Sequence, residues 1–170
     1  MDPIFAWIEG IAFGQWIRGS ECICAFPAIV TLHNIGLAFL AGGGIIIDLR
    51  LIGFAADMPL KPMARFAPVL WLAFATNAVT GILLLIAYPT KALTNPLFYI
   101  KLLLVALAVG LLYRIGDQIL RAPGIDQRPL AGNVKALAIV SLATWVALIF
   151  AGRFLAYTHK WEMLGVPAVL

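Results

Sequence analysis

Long apolar runs separated by short polar segments dominate this sequence. Four runs, at about 25–52, 65–87, 96–113 and 134–157, have the ~20 residues that a helix needs to cross the ~30 Å hydrocarbon core of a bilayer. Asn95 and Pro96 mark the start of the third run, because asparagine is a good N-cap and proline fits the first helical position. The pattern predicts an all-α integral membrane protein: a four-helix transmembrane bundle, with residues 1–170 forming one domain.

The segment before the first run has a different pattern. Between residues 3 and 19, Phe5, Ile8, Ala12 and Trp16 recur at helical spacing, and the charged residues fall largely elsewhere. Such a segment is typical of an amphipathic helix that lies in the membrane interface with its tryptophans at headgroup level. The first ten residues lack the small-residue cleavage site of a signal peptide.

Composition and charge support a membrane protein and suggest its orientation. The chain is 63% hydrophobic and only 12% charged, against ~25% charged residues in soluble domains. A net charge of +4 spread over the connections argues against nucleic-acid binding. Seven Lys and Arg residues lie in the first and third connections and five on the opposite side. The excess predicts a multi-pass protein of the bacterial cytoplasmic membrane with both termini periplasmic.

The two histidines are the strongest candidates for chemistry. His33 lies inside the first span, and His159 lies at the outer end of the fourth, on the same side of the membrane. Two imidazoles on facing helices are what a six-coordinate b-type haem needs, and helix bundles bind cofactors in this way. Gly36 and Gly43 share a helical face with His33 and would let a flat macrocycle approach the backbone. The leading hypothesis is therefore a cytochrome-like electron-transfer subunit.

Two basic residues complete the predicted haem site. Arg153 and Lys101 both lie toward the outer side, where they could meet the haem propionates.

A competing interpretation needs no cofactor. Small residues on one face of a span usually serve helix packing in lipid, and a histidine at a helix end usually faces water. The chain is then a non-redox structural or accessory subunit, in contact with lipid and with other membrane subunits or further copies of itself.

A third hypothesis is copper handling by Cys22, Cys24, His159 and Met163, since soft sulfur ligands suit Cu(I). Cys22 and Cys24 are predicted to be a poor disulfide pair.

The remaining polar residues within the spans favour structural roles. Asp48 and Arg50 end the first span and are expected to pair with other helices, Asp48 with Arg65 or Arg114. Asn77 and Thr80 are expected to form interhelical hydrogen bonds. The sequence contains no nucleotide-binding or hydrolase motif, which favours an electron-transfer or accessory subunit over a stand-alone enzyme.

Several short motifs, in order along most of the chain, resemble one family. They are Trp7-Ile8-Glu9, Ile17-Arg18-Gly19-Ser20, Phe26-Pro27, His33-Asn34-Ile35-Gly36-Leu37-Ala38, Asp48-Leu49-Arg50-Leu51-Ile52-Gly53, Thr80-Gly81, Asn95-Pro96 with Lys101, and Gly152-Arg153. The sequence resembles the small bacterial four-span membrane proteins of the DUF6644 type, a domain of unknown function. The resemblance implies the four-span fold and marks His33, Asp48, Arg50 and Arg153 as characteristic positions, but it implies no activity. Relatives often carry a histidine near the end of the third span, where this chain has Leu112-Tyr113-Arg114, so a haem on the cytoplasmic side is disfavoured.

Overall fold

The protein is a bundle of four long helices. The computed structural model describes residues 10–20, 22–127 and 130–163, and the side chains in these ranges except those of 118, 156 and 159–163. The α-helices are α1 (Ala12–Gly19), α2 (Phe26–Ile52), α3 (Ala67–Ala87), α4 (Pro89–Leu93), α5 (Pro96–Tyr113) and α6 (Gly132–Met163). No β-strand occurs in these ranges. The predicted all-α four-helix bundle is confirmed.

Four helices have the length and composition to cross a membrane. They extend over Phe26–Ile52, Lys61–Ala87, Pro96–Asp117 and Gly132–Leu155, each with at most two charged residues in its most apolar window. Large apolar side chains such as Phe39, Leu72 and Leu103 lie exposed on their outer surfaces. In water this exposure would be costly, whereas in a bilayer the acyl chains cover it.

α2 occupies the centre of the bundle. It packs closely against α3 on one side and α6 on the other, and α5 packs against α6. Three glycines allow the close approach. Gly36 faces the backbone of α3 at Ala73 and Asn77, Gly43 faces Leu70 of α3, and Gly44 lies against the indole of Trp145 on α6. Small residues at helix contacts are the usual packing device in lipid, where backbones approach closely in place of hydrophobic collapse.

The N-terminal helix lies against the C-terminal end of α3. The structure describes it over Ala12–Gly19, so Phe5 and Ile8 of the predicted interfacial helix lie outside the described residues. Ile17 is fully buried, and Arg18 donates a hydrogen bond to the Ala87 carbonyl oxygen at 2.6 Å. Trp16 is half exposed on the other face, which agrees with an amphipathic segment at the headgroup level.

The starts and ends of the spans follow local signals. The Asn95 side chain accepts a hydrogen bond from the Leu97 amide at 2.9 Å, as expected of an N-cap. Its amide nitrogen also donates to Thr158 Oγ1 at 2.7 Å, which joins the start of α5 to the outer part of α6. At the other end of the bundle, a π-helical turn over Arg114–Ile119 extends α5. Arg121 pairs there with Asp117 at 3.0 Å.

Candidate functional site

His33 lies on α2 with its ring against α3. Its Nδ1 is 3.0 Å from Thr80 Oγ1. The Thr80 hydroxyl has a single hydrogen, which it donates to the Thr76 carbonyl oxygen at 2.6 Å. Thr80 Oγ1 therefore accepts from His33, so the imidazole is protonated at Nδ1. Nε2 carries the free lone pair of the neutral ring and has no hydrogen-bond partner in the described part of the chain.

A second side chain of α3 binds the same turn of α2. Asn77 Nδ2 donates to the His33 carbonyl oxygen at 2.8 Å. One turn further along α3, Gly81 leaves room for the imidazole, because a Cβ atom there would lie 3.4 Å from His33 Cε1. The predicted interhelical hydrogen bonds of Asn77 and Thr80 are thus present, and both converge on His33.

A small cavity lies beside His33 at the centre of the bundle. It measures about 30 Å³, and all four long helices contribute to its wall, including Lys101 of α5 and Gly152 of α6. A water molecule needs roughly 10–15 Å³ of such space, so the cavity has room for one or two waters. The structure therefore brings His33, Lys101 and Gly152 together around a space of solvent size.

The cavity volume and the helix backbone bear on the predicted pairing of His33 with His159. A ligand pocket usually measures roughly 300–1,000 Å³, far more than the cavity beside His33. His159 is seven residues beyond Gly152 on α6, which places its backbone about 10 Å further along the helix. A haem between the two histidines would require the helices to separate and α6 to shift. The cavity beside His33 is therefore much smaller than a haem pocket, and the His159 side chain lies outside the described residues.

The other predicted haem contacts also have different neighbours. Gly36 and Gly43 face α3 at close range and leave no opening for a macrocycle. The Arg153 side chain is exposed and lies over the Tyr157 ring, 5.5 Å from its centroid. Of the proposed haem contacts whose side chains the structure describes, only His33 and Lys101 line the central cavity.

A second polar centre lies near the C-terminal end of α2. Asp48 is 1% exposed, and its side chain interacts with Ser141 of α6. In the described part of the chain, its buried Oδ2 atom has no hydrogen-bond partner, and neither has Nε1 of Trp145, which lies one turn beyond Ser141 on α6. The predicted ion pair of Asp48 with Arg65 or Arg114 is wrong, because the one salt bridge among the described residues joins Arg121 and Asp117.

Arg50 has a role in the first connection instead. Its guanidinium donates to the carbonyl oxygens of Met58 at 2.5 Å and Ala56 at 2.7 Å. The side chain thus closes the turn that follows α2. The prediction of a partner on another helix was wrong because the chain beyond Gly53, which has a positive φ of 119°, folds back beneath the end of its own helix.

The two cysteines form a disulfide, contrary to the sequence-based prediction. A turn over residues 23–25 precedes α2 and leaves the Cα atoms of Cys22 and Cys24 5.1 Å apart, within the usual range for bridged cysteines. The proposed copper ligands Cys22 and Cys24 would be thiolates only after reduction. The side chains of the other two, His159 and Met163, lie outside the described residues.

No family model, no curated protein and no solved structure matches this chain. The resemblance to the DUF6644 type therefore stays a prediction, and the function is argued from the geometry alone.

Proposed function

We propose that this chain is a non-redox structural or accessory subunit of a membrane protein complex. The observation that carries the proposal is the small volume beside His33, about 30 Å³, enclosed by side chains of all four long helices. His33, Asn77 and Thr80 are bound to one another there, so the histidine joins α2 to α3. A polar ring in the hydrocarbon region is costly unless it has such partners, and these contacts supply them.

The surroundings of the bundle support an accessory role. The side chains of His33, Asn77 and Thr80 face the interior. The outer faces of α3 and α5 expose apolar side chains, among them Trp71, Val79, Leu103 and Leu107. These faces suit contact with lipid and with the helices of other subunits or of further copies. The connection between α3 and α5 has eight residues, five of which form α4.

One observation favours the cytochrome-like alternative. The hydrogen bond from Nδ1 to Thr80 sets the tautomer in which Nε2 is free to bind a metal, and ligating histidines are commonly oriented in this way. A b-type haem for electron transfer is therefore the second candidate. It would need the bundle to open beside Lys101 and Gly152, which line the same cavity.

A visible spectrum separates the two candidates. We expect the full-length protein, purified after expression with haem available, to show no reduced-minus-oxidised b-type bands and to match its His33→Ala variant. A b-type spectrum that disappears in His33→Ala would overturn the proposal and establish the haem alternative, with His159→Ala testing the second ligand.

For the accessory role, native electrophoresis of the mildly solubilised source membrane should give a discrete species larger than the single chain. Migration as a single chain would contradict a stable complex.

The disulfide also bears on the orientation of the chain. We propose that the chain lies in the bacterial cytoplasmic membrane with its termini in the periplasm, as the distribution of Lys and Arg predicts. Cys22 and Cys24 immediately precede α2, at the end of the bundle that carries the N-terminus. Disulfides persist in oxidising compartments such as the periplasm, which supports this orientation independently of charge.

Cysteine labelling tests the orientation directly. After reduction, a membrane-impermeant maleimide added to cells with a permeabilised outer membrane should label Cys24. A single cysteine placed by Lys135→Cys, in a chain carrying Cys22→Ser and Cys24→Ser, should remain unlabelled until the inner membrane is opened. The reverse labelling pattern would place the termini in the cytoplasm.

A further inference from the structure

Two adjoining cavities occur at the end of the bundle opposite the disulfide. The first measures about 770 Å³ and lies between the first connection, at Pro59–Arg65, and the third, at Leu120–Gln127. The second measures about 610 Å³ and follows α2 and the start of α3. Pro59 and Pro62 line both cavities, so the two form one continuous surface.

The first cavity is basic. Its wall includes three cationic side chains, Lys61, Arg65 and Arg121, and a single carboxylate, Asp126. Asp126 is already engaged, since its two oxygens accept hydrogen bonds from the backbone amides of Leu60 at 2.6 Å and Lys61 at 3.3 Å. Arg121 pairs with Asp117. Lys61 and Arg65 therefore remain as exposed cations without a carboxylate partner in the described part of the chain.

The second cavity is an apolar groove. It is lined almost wholly by apolar side chains, among them Phe39, Ile46, Phe66 and Val69, which are all exposed. On α2 the groove extends from Ala38 to Ile47, a rise of about 14 Å. That length is close to half of the ~30 Å hydrocarbon core, the depth that one acyl chain occupies. Gly42 lies in the groove, and a Cβ atom there would meet nothing within 4 Å.

We propose that the two cavities together bind one anionic phospholipid. The phosphate lies in the basic cavity beside Lys61 and Arg65, and an acyl chain fills the groove between α2 and α3. A negatively charged headgroup is favoured because the choline or ethanolamine of a zwitterionic lipid would add a third positive charge next to these two. Basic pockets next to transmembrane helices are common sites for acidic headgroups.

Binding is tested with phosphatidylglycerol and phosphatidylcholine of the same acyl composition, added to the delipidated full-length protein in detergent and counted by native mass spectrometry. We expect one phosphatidylglycerol per chain, with much weaker phosphatidylcholine binding. The double variant K61Q/R65Q should lower the phosphatidylglycerol affinity roughly 30-fold. Each basic residue near an acidic lipid raises the binding affinity about fivefold, and the two effects multiply. The control Lys135→Gln removes an exposed charge outside the cavity and should change the affinity less than twofold.

The groove is tested separately, so that the proposal does not depend on the charge variants folding. Gly42→Leu places a side chain in the groove and should lower phosphatidylglycerol binding at least fivefold. Gly110→Leu is the matched control, because Gly110 also has no neighbour within 4 Å of an added Cβ and does not line either cavity.

Three results would overturn the proposal. Equal binding of the two lipids would show that the charges do not select a headgroup. Competition by inorganic phosphate, together with unchanged binding in Gly42→Leu, would show a small-anion site in place of a lipid. A dimer that crosslinks through a cysteine introduced by Val69→Cys and excludes phosphatidylglycerol would assign the groove to a second copy of the chain.

Discussion

Two polar centres on the same helix are built in opposite ways. His33 and Asp48 both lie on α2, fifteen residues apart, which is about 22 Å along the helix. At His33, α3 binds Nδ1 and the backbone carbonyl oxygen, since Thr80 accepts from the ring and Asn77 donates to the carbonyl oxygen. Nε2 is not among the fully buried unpaired atoms of the described residues. Asp48 is more deeply buried, yet one of its carboxylate oxygens has no hydrogen-bond partner among the described residues. The contacts therefore predict a stabilising contribution at His33 and a destabilising one at Asp48.

The strongest expected effect comes from the packing between the two centres. In Gly44→Ala the new Cβ would lie 2.5 Å from Trp145 Nε1, and Trp145 is fully buried and has little room to move. We expect a loss of about 3 kcal/mol in the free energy of unfolding, at the upper end for overpacking. Thermal unfolding in detergent measures it, with Gly110→Ala as a control that should not destabilise. Equal stability of the two variants would mean that α2 and α6 are not in close contact.

The hydrogen bond at His33 should have a smaller but measurable effect. Thr80→Val keeps the shape of the side chain but leaves the His33 Nδ1–H without its acceptor. The expected loss is about 1.5 kcal/mol, near the upper limit for hydrogen bonds between membrane helices. Thr80→Ser should restore most of this stability, because the hydroxyl is retained. If Thr80→Val unfolds at the wild-type temperature, the imidazole is not held by α3.

The buried Asp48 carboxylate predicts a change of opposite sign. Asp48→Asn removes an acidic group that has no ion-pair partner among the described residues and preserves its shape. We expect stability to stay equal or rise by up to about 1 kcal/mol, because replacing a buried unpaired ionisable group removes a desolvation cost. Unfolding at fixed pH measures the change, beside Asp117→Asn, which removes an exposed paired carboxylate and should change stability by less than ~0.5 kcal/mol. A clear loss in Asp48→Asn would reveal a counter-ion for this carboxylate.

The candidate site could be predicted from the sequence only in part. His33, Asn77 and Thr80 stand out because polar side chains are rare in apolar spans, and the expected interhelical bonds of Asn77 and Thr80 are present. The sequence does not tell which side chain meets which. Glycines that suggested space for a macrocycle instead admit Leu70 and Trp145. The position of Trp145 has no signal in the sequence, since a tryptophan in a span is as readily lipid-facing as buried.

The sequence by itself determined the number of spans, their approximate limits and the start of α5 at Asn95-Pro96. These features depend on apolar length and on contacts between neighbouring residues, which the order of residues specifies directly. The tertiary structure alone decided that His33 faces Thr80 and that Asp48 has no ion pair among the described residues. It also decided that Lys61 and Arg65 border a basic cavity next to an apolar groove. These relations join residues far apart in the chain. They depend on the rotation and separation of packed helices, which apolar spans of nearly uniform composition do not encode locally.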